Sequence, residues 1–171
     1  WSKCVETVVE GLSEADPAGK NYYINQGAKV EKAYKRVHNW GRKRIAELPK
    51  KQRILVTSHD AFNYFGKAFE FQVVAVQGLS TVTEAGLADI AKMVDFIKEK
   101  NLKAIFVESS VNPAAIQRIS KDANVKIGGE LFSDACGKPG DIHMNQGEEY
   151  DVGTFVGMVK HNINTIVEAL K

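Results

Sequence analysis

The sequence predicts an α/β fold, a four-stranded parallel sheet flanked by helices and preceded by one long helix. Four short runs, Arg53 to Ser58, Phe71 to Gln77, Lys103 to Glu108 and Val125 to Phe132, are rich in Val, Ile or Phe. Helical patterns separate them, as expected of crossover units whose parallel strands are buried on both faces. Ahead of them, Asn21 to Leu48 carries Tyr23, Gly27, Val30, Tyr34, Val37, Gly41, Ile45 and Leu48 at alternating steps of three and four. That pattern predicts about 27 helical residues, roughly 40 Å of rod.

Taken in order, Trp1 to Leu12 places Val5, Val8, Val9 and Leu12 at helical spacing, and Ser13 to Gly19, with Pro17, stops the helix. The long helix then runs to Pro49. After the first strand, Ala61 to Phe69 reads as a helix. The next is announced by the capping box Thr81-x-x-Glu84 and carries Leu87, Ile90, Ala91, Val94 and Ile97 on one face. A third opens on Asn112-Pro113, an N-cap followed by proline at the first helical position. The last helix, Val152 to Lys171, has a core stripe from Phe155 through Asn162 to Leu170, with Asp151 as its expected cap. Ser133 to Tyr150 shows no periodicity and reads as a long functional loop.

A chain of 171 residues suffices for one good core. Its 44% hydrophobic and 26% charged content, with a net charge of +2, excludes disorder. Arg42-Lys43-Arg44, Lys50-Lys51 and Arg53 read as solvated surface, and no nucleic-acid signature accompanies them. No apolar run approaches the roughly 18 residues of a membrane span. Cys4 and Cys136 are too few for a disulfide scaffold and lack metal-ligand spacing. Phosphate loops, dinucleotide fingerprints and nucleophile elbows are all missing.

If the four strands are parallel, their carboxyl ends share one rim, where ligands bind in open α/β sheets. The residues there are His59 with Asp60, Gln77 to Ser80, Glu108 to Ser110, and Ser133-Asp134. His59 and Asp134 offer an imidazole nitrogen and a carboxylate oxygen, half of a zinc site or part of one for manganese. Asp60 reads as a helix cap before a ligand. Glu108 either supports a ligand from behind or pairs with a cation. His143 is an additional ligand or a mobile surface residue, whereas His38 and His161 read as structural or solvated.

Five stretches form a set: Thr57-Ser58-His59-Asp60-Ala61-Phe62-x-Tyr64-Phe65, Val76-Gln77-Gly78-Leu79-Ser80-Thr81, Phe106-Val107-Glu108-Ser109-Ser110-Val111, Leu131-Phe132-Ser133-Asp134-Ala135 and Gly157-Met158-x-x-His161-Asn162. The set resembles the metal-binding solute receptors of ABC importers for zinc and manganese, the TroA-like group (cluster A-I), over nearly the whole chain. The resemblance implies a chelatase-like fold of two α/β lobes joined by a rigid helix, with the metal in the cleft. On it, residues 1–20 are the last helix of an amino-terminal lobe the chain lacks. Residues 21–52 are the interlobe helix and turn, and 53–171 the carboxyl-terminal metal-binding lobe.

His59 and Asp134 then fall on two of four ligands, with Glu108, Asp60 and Ser133 supporting them. The other two, histidines of the amino-terminal lobe, are absent, so the expectation is a half-site for Zn2+ or Mn2+ as transported ligand. Glutamate at the position of His59 is associated with manganese in the family, and histidine there leans toward zinc. The resemblance further implies a non-enzymatic receptor in the periplasm or on the outer face of the cytoplasmic membrane, lipoprotein or soluble. It would deliver the ion to an ABC permease and meet the membrane only through that permease or an anchor outside this chain. Residue types alone also admit a small doubly wound enzyme using Asp134, Glu108 or His59 as acid or base. A cell-adhesion protein is a further alternative, since receptors of this kind are also described as adhesins.

Overall fold

The computed structural model describes residues 1–78 and 86–171. The Thr81-x-x-Glu84 capping box and Leu79-Ser80-Thr81 therefore lie outside the described residues. The chain divides into two compact units, Trp1–Arg42 and Lys43–Lys171.

In the first unit, α1 (Cys4–Ala15) and the start of α2 (Lys20–Ile45) are joined by a 3-10 turn at Pro17–Gly19. Gly27 permits their contact: a Cβ there would overlap Val9 and come within 3.4 Å of Val5 Cγ1. The Tyr23 hydroxyl donates to Asp16 Oδ2 at 2.9 Å. That bond raises the phenol's pKa. No residue of α1 is fully buried, and Val8 and Leu12 of its expected apolar stripe stay exposed.

The second unit contains β1 (Ile54–Thr57), α3 (Asn63–Phe69), β2 (Gln72–Ala75), α4 (Leu87–Lys100), β3 (Ala104–Glu108), α5 (Ala114–Ala123), β4 (Lys126–Leu131), β5 (Ile142–Asn145), β6 (Glu148–Asp151) and α6 (Phe155–Leu170). Parallel ladders join β1 to β2 and β3 to β4. β1 and β3 lie side by side, so the expected four-stranded sheet is two parallel pairs in contact. Where β1 ends, the His59 N–H is taken by a Glu108 carboxylate oxygen in place of a strand carbonyl.

Successive strand residues face opposite layers. Val56 and Ile105 join Met93, Val94 and Ile97 of α4 and Ile116 and Ile119 of α5 in one apolar cluster. Phe106 faces α6, where β4 comes so close that a Cβ on Gly128 would sit 2.5 Å from Ala169 Cβ and 2.7 Å from Phe106 Cε1. Each such fully buried side chain is worth about 1.5–3 kcal/mol relative to exposure. A bulge on β4 follows, with Gly129 at φ 144, a backbone only glycine adopts without strain.

Helix ends follow known chemistry. Asn101 and Asn124 close α4 and α5 in the left-handed conformation, at φ 49 and 54. Asn112 Oδ1 accepts the Ala114 N–H at 3.0 Å, ahead of α5. At α6 the expected cap is corrected: Thr154 Oγ1 accepts the Gly157 N–H at 3.0 Å. Asp151 lies too far upstream, in β6, and its carboxylate instead receives the N–H groups of Gly140 and Gly153.

Two further expectations are corrected. Ser133 to Tyr150 is not one structureless loop, because β5 and β6 form an antiparallel hairpin within and just beyond it. Gln146 and Gly147 turn it at φ 50 and 80, the pair of positive angles that matches strand twist. Nor are all the basic clusters solvated. Arg44 is 5% exposed, with Nε donating to Asn164 Oδ1 at 3.0 Å, Nη1 to Glu47 at 2.6 Å and Nη2 to Glu168 at 3.3 Å. Arg53 donates to the Leu48 carbonyl, closing the turn before β1. Among the described residues no helix is long and apolar enough to cross a membrane.

Candidate metal centre

The carboxyl ends of β1 and β3 meet at one rim, and backbone bonds extend both ladders there. The Gln77 N–H donates to the Ser58 carbonyl at 2.9 Å, and the Ser109 N–H to the Leu131 carbonyl at 3.0 Å. These bonds align the residues that follow each strand.

His59 is held from two directions. Its N–H donates to Glu108 Oε1 at 2.9 Å, and its carbonyl accepts the Thr57 hydroxyl at 3.1 Å. Ring atom Nδ1 lies 2.7 Å from Glu108 Oε2, with both side chains buried. Two lone pairs at that separation would repel, so a proton lies between them. The ring N–H does not point straight at the oxygen, and both atoms lack an aligned hydrogen bond. Placing the proton on Nδ1 leaves the Nε2 lone pair available, as in carboxylate–histidine–metal arrangements.

Nε2 of His59 faces Asp134 Oδ1 at 3.5 Å. That is too long for a good hydrogen bond. The other oxygen, Oδ2, accepts the Ser110 hydroxyl at 2.8 Å, and Ser110 Oγ lies 2.9 Å from Ser133 Oγ. Ser110 has one hydroxyl proton, so in the second contact Ser133 is the donor. Ser133 thus reaches Asp134 through Ser110, a residue that sequence reasoning placed at the strand end without giving it a role.

The chain entering Asp134 is fixed from α6. Buried Asn162 accepts the Phe132 N–H at 2.9 Å through Oδ1 and donates through Nδ2 to the Phe132 carbonyl at 2.7 Å. His161 Nε2 donates to the Glu130 carbonyl at 2.9 Å. The side chains of His161 and Asn162 therefore act as a surrogate strand for the end of β4. Burial lowers the pKa of His161 against the opposing pull of that hydrogen bond.

Asp60 does not cap α3: its Oδ1 accepts Asn63 Nδ2 at 2.7 Å, and no side chain caps that helix. His143 is half-buried on β5, its ring centroid 5.1 Å from that of His161 and its Nε2 3.5 Å from Asp141 Oδ2. Cys4 and Cys136 are free and exposed.

Among the described residues no group of three or more His, Cys, Asp and Glu is arranged to hold an ion. Among the described residues, the buried side-chain polar atoms without an aligned partner are Ser58 Oγ, His59 Nδ1, Gln77 Oε1 and Glu108 Oε2. All four lie at the carboxyl ends of β1, β2 and β3. Unpartnered buried polar atoms are rare, and their concentration at one rim marks it chemically.

A family model described as zinc-uptake complex component A, periplasmic (ZnuA), matches residues 1–169. The chain is 40% identical over 176 residues to the manganese-binding lipoprotein MntA of Bacillus subtilis, covering 100% of this chain and 55% of the relative. It is 37% identical over 175 residues to the zinc-binding protein TroA of Treponema pallidum, covering 99% and 54%. The solved periplasmic zinc-binding protein TroA from Treponema pallidum superposes with a TM-score of 0.90 at 37% identity, over 99% of this chain and 60% of that one. The chain thus spans about half the length of the curated relatives it matches.

Proposed function

This chain belongs to the family of periplasmic zinc-uptake complex component A, and from that premise we propose that it carries half of the ligand set of an extracytoplasmic solute-binding protein. That protein captures zinc or manganese and delivers it to an ABC permease; it is a transport receptor and not an enzyme. His59 Nε2 and Asp134 Oδ1 are the ligands contributed here, Glu108 orients His59, and Ser110 with Ser133 holds Asp134. The relatives' names support both metals, one being manganese-binding and one zinc-binding. The description as lipoprotein or periplasmic in these names supports a location outside the cytoplasm.

The observation that carries this reading is the 3.5 Å between Nε2 and Oδ1. Two ligands at about 2.05 Å from a tetrahedral zinc stand roughly 3.4 Å apart. The two atoms are thus spaced to share an ion without closing on each other. With no third ligand among the described residues placed to join them, the remaining donors come from elsewhere, which is how a receptor built from two lobes can close on its cargo and then let go.

Calorimetric titration of the 171-residue chain with zinc chloride tests both parts. The expected dissociation constant is about micromolar or weaker, with binding lost in His59→Ala and Asp134→Ala. A nanomolar site would overturn the half-set reading, and binding that survives Asp134→Ala would overturn the ligand assignment.

A further inference from the structure

We infer that Ser110 decides how many oxygens Asp134 offers a cation, and so biases the site toward zinc over manganese; this rests on the proposed ligand role of His59 and Asp134. The Ser109–Leu131 backbone bond sets the two strand ends side by side. Ser110 then donates to Oδ2 at 2.8 Å while Oδ1 stands 3.5 Å from the imidazole. The hydroxyl cannot turn freely, because Ser133 engages the same oxygen at 2.9 Å.

The Ser110 bond fixes rotation of the carboxylate, with one oxygen turned to β3 and the other to His59. Zinc held by four donors takes one oxygen from a carboxylate, an arrangement the Ser110 bond favours. Manganese, harder and higher in coordination number, gains when both oxygens bind, and Ser110 opposes that. Asp134 is half exposed, so the restraint is partial and the expected bias is correspondingly modest.

The test compares the 171-residue chain with Ser110→Ala and Ser110→Thr. Zinc chloride and manganese chloride affinities are measured by competition, and metal-minus-apo infrared difference spectra are recorded. The separation between antisymmetric and symmetric carboxylate stretches is wide for one-oxygen and narrow for two-oxygen ligation, and Asp134→Asn identifies the band. In Ser110→Ala the separation should narrow and the zinc-to-manganese affinity ratio should fall by up to roughly tenfold. Ser110→Thr, which keeps the hydroxyl, should behave as the parent; a purely steric role for residue 110 would not rescue in this way. An unchanged spectrum and ratio in Ser110→Ala, with the Asp134 band still present, would overturn the inference and leave the metal site standing. If no band in the parent disappears in Asp134→Asn, the ligand assignment itself fails.

Discussion

Arg44, 5% exposed, and Glu108, 2% exposed, are charged side chains sunk into the same unit, and their surroundings treat them differently. Each nitrogen of Arg44 has a partner in Asn164, Glu47 or Glu168, and Lys171 pairs with Glu47 as well. Hydrogen bonds from Lys171 and Arg44 hold the Glu47 carboxyl below its ordinary pKa. Glu108 instead has one oxygen bonded to a backbone N–H and the other pressed out of line against an imidazole. A saturated charge ties chain segments together, whereas an unsaturated one at a strand end keeps a neighbour's lone pair available. Function sits where the folding rules are incompletely obeyed.

The largest effect that would break this contrast is at Arg44. Arg44→Ala strands Asn164 and two carboxylates and removes a buried stem, so denaturant unfolding should show a loss of about 3 kcal/mol. Both glutamates are partly exposed, which keeps the loss from being larger. Metal affinity should not move. If Arg44→Ala weakened zinc binding while leaving stability intact, the division between tie and site would be wrong.

Glu108→Gln should give the opposite profile. The amide keeps the volume and can still accept the His59 N–H, but it no longer presents a carboxylate to Nδ1. Zinc affinity measured by competition should fall roughly tenfold to a hundredfold, with unfolding free energy within about 1 kcal/mol of the parent. A large stability loss with unchanged affinity would recast Glu108 as a second structural tie.

How much of this could be read from the chain follows from the same contrast. Strands β1 and β3 were legible because inner parallel strands, buried on both faces, leave unbroken apolar runs, whereas the more exposed β2 and β4 mix Gln72, Lys126 and Glu130 into theirs. The β5–β6 hairpin was not, since its turn uses Gln146-Gly147 in place of the usual Asn-Gly and its strands mix His143, Asn145 and Glu149 with apolar residues. Burial of Arg44 was hidden because a basic cluster at a helix end looks the same whether solvated or paired. His59 and Asp134 could be nominated because polar residues directly after apolar runs stand at the rim. Ser110 and Asn162 could not be assigned roles, since hydroxyl direction and amide pairing depend on contacts 24 and 30 residues away in sequence.

Ser58 sharpens the contrast with a smaller effect of opposite sign. Its hydroxyl is buried and has no partner among the described residues. Ser58→Ala removes a polar group that water would otherwise solvate in the unfolded chain, so the variant should be more stable by about 0.5–1 kcal/mol in denaturant unfolding. A destabilised variant would mean that the hydroxyl is satisfied in the folded protein and that the rim is less unsaturated than the contrast requires.

His161 gives the smallest effect, and it tests the saturated side with a histidine. Its Nε2 is committed to the Glu130 carbonyl, and burial, reinforced by nearby His143, holds its pKa below the ordinary 6.5 despite that bond and the pull of Asp141. A base with a depressed folded-state pKa binds its proton first in the unfolded chain. Stability should therefore be level above about pH 7.5 and decline as pH falls through the unfolded value near 6.5. It levels off again only below the folded-state value. Glutamine retains a donor for the carbonyl but does not titrate, so the difference in unfolding free energy between His161→Gln and the parent should shrink or reverse toward pH 5.5. A difference that stays constant from pH 7.5 to 5.5 would show that this ring carries its proton equally easily in both states, and that burial against Phe132 and His143 exerts no hold on it.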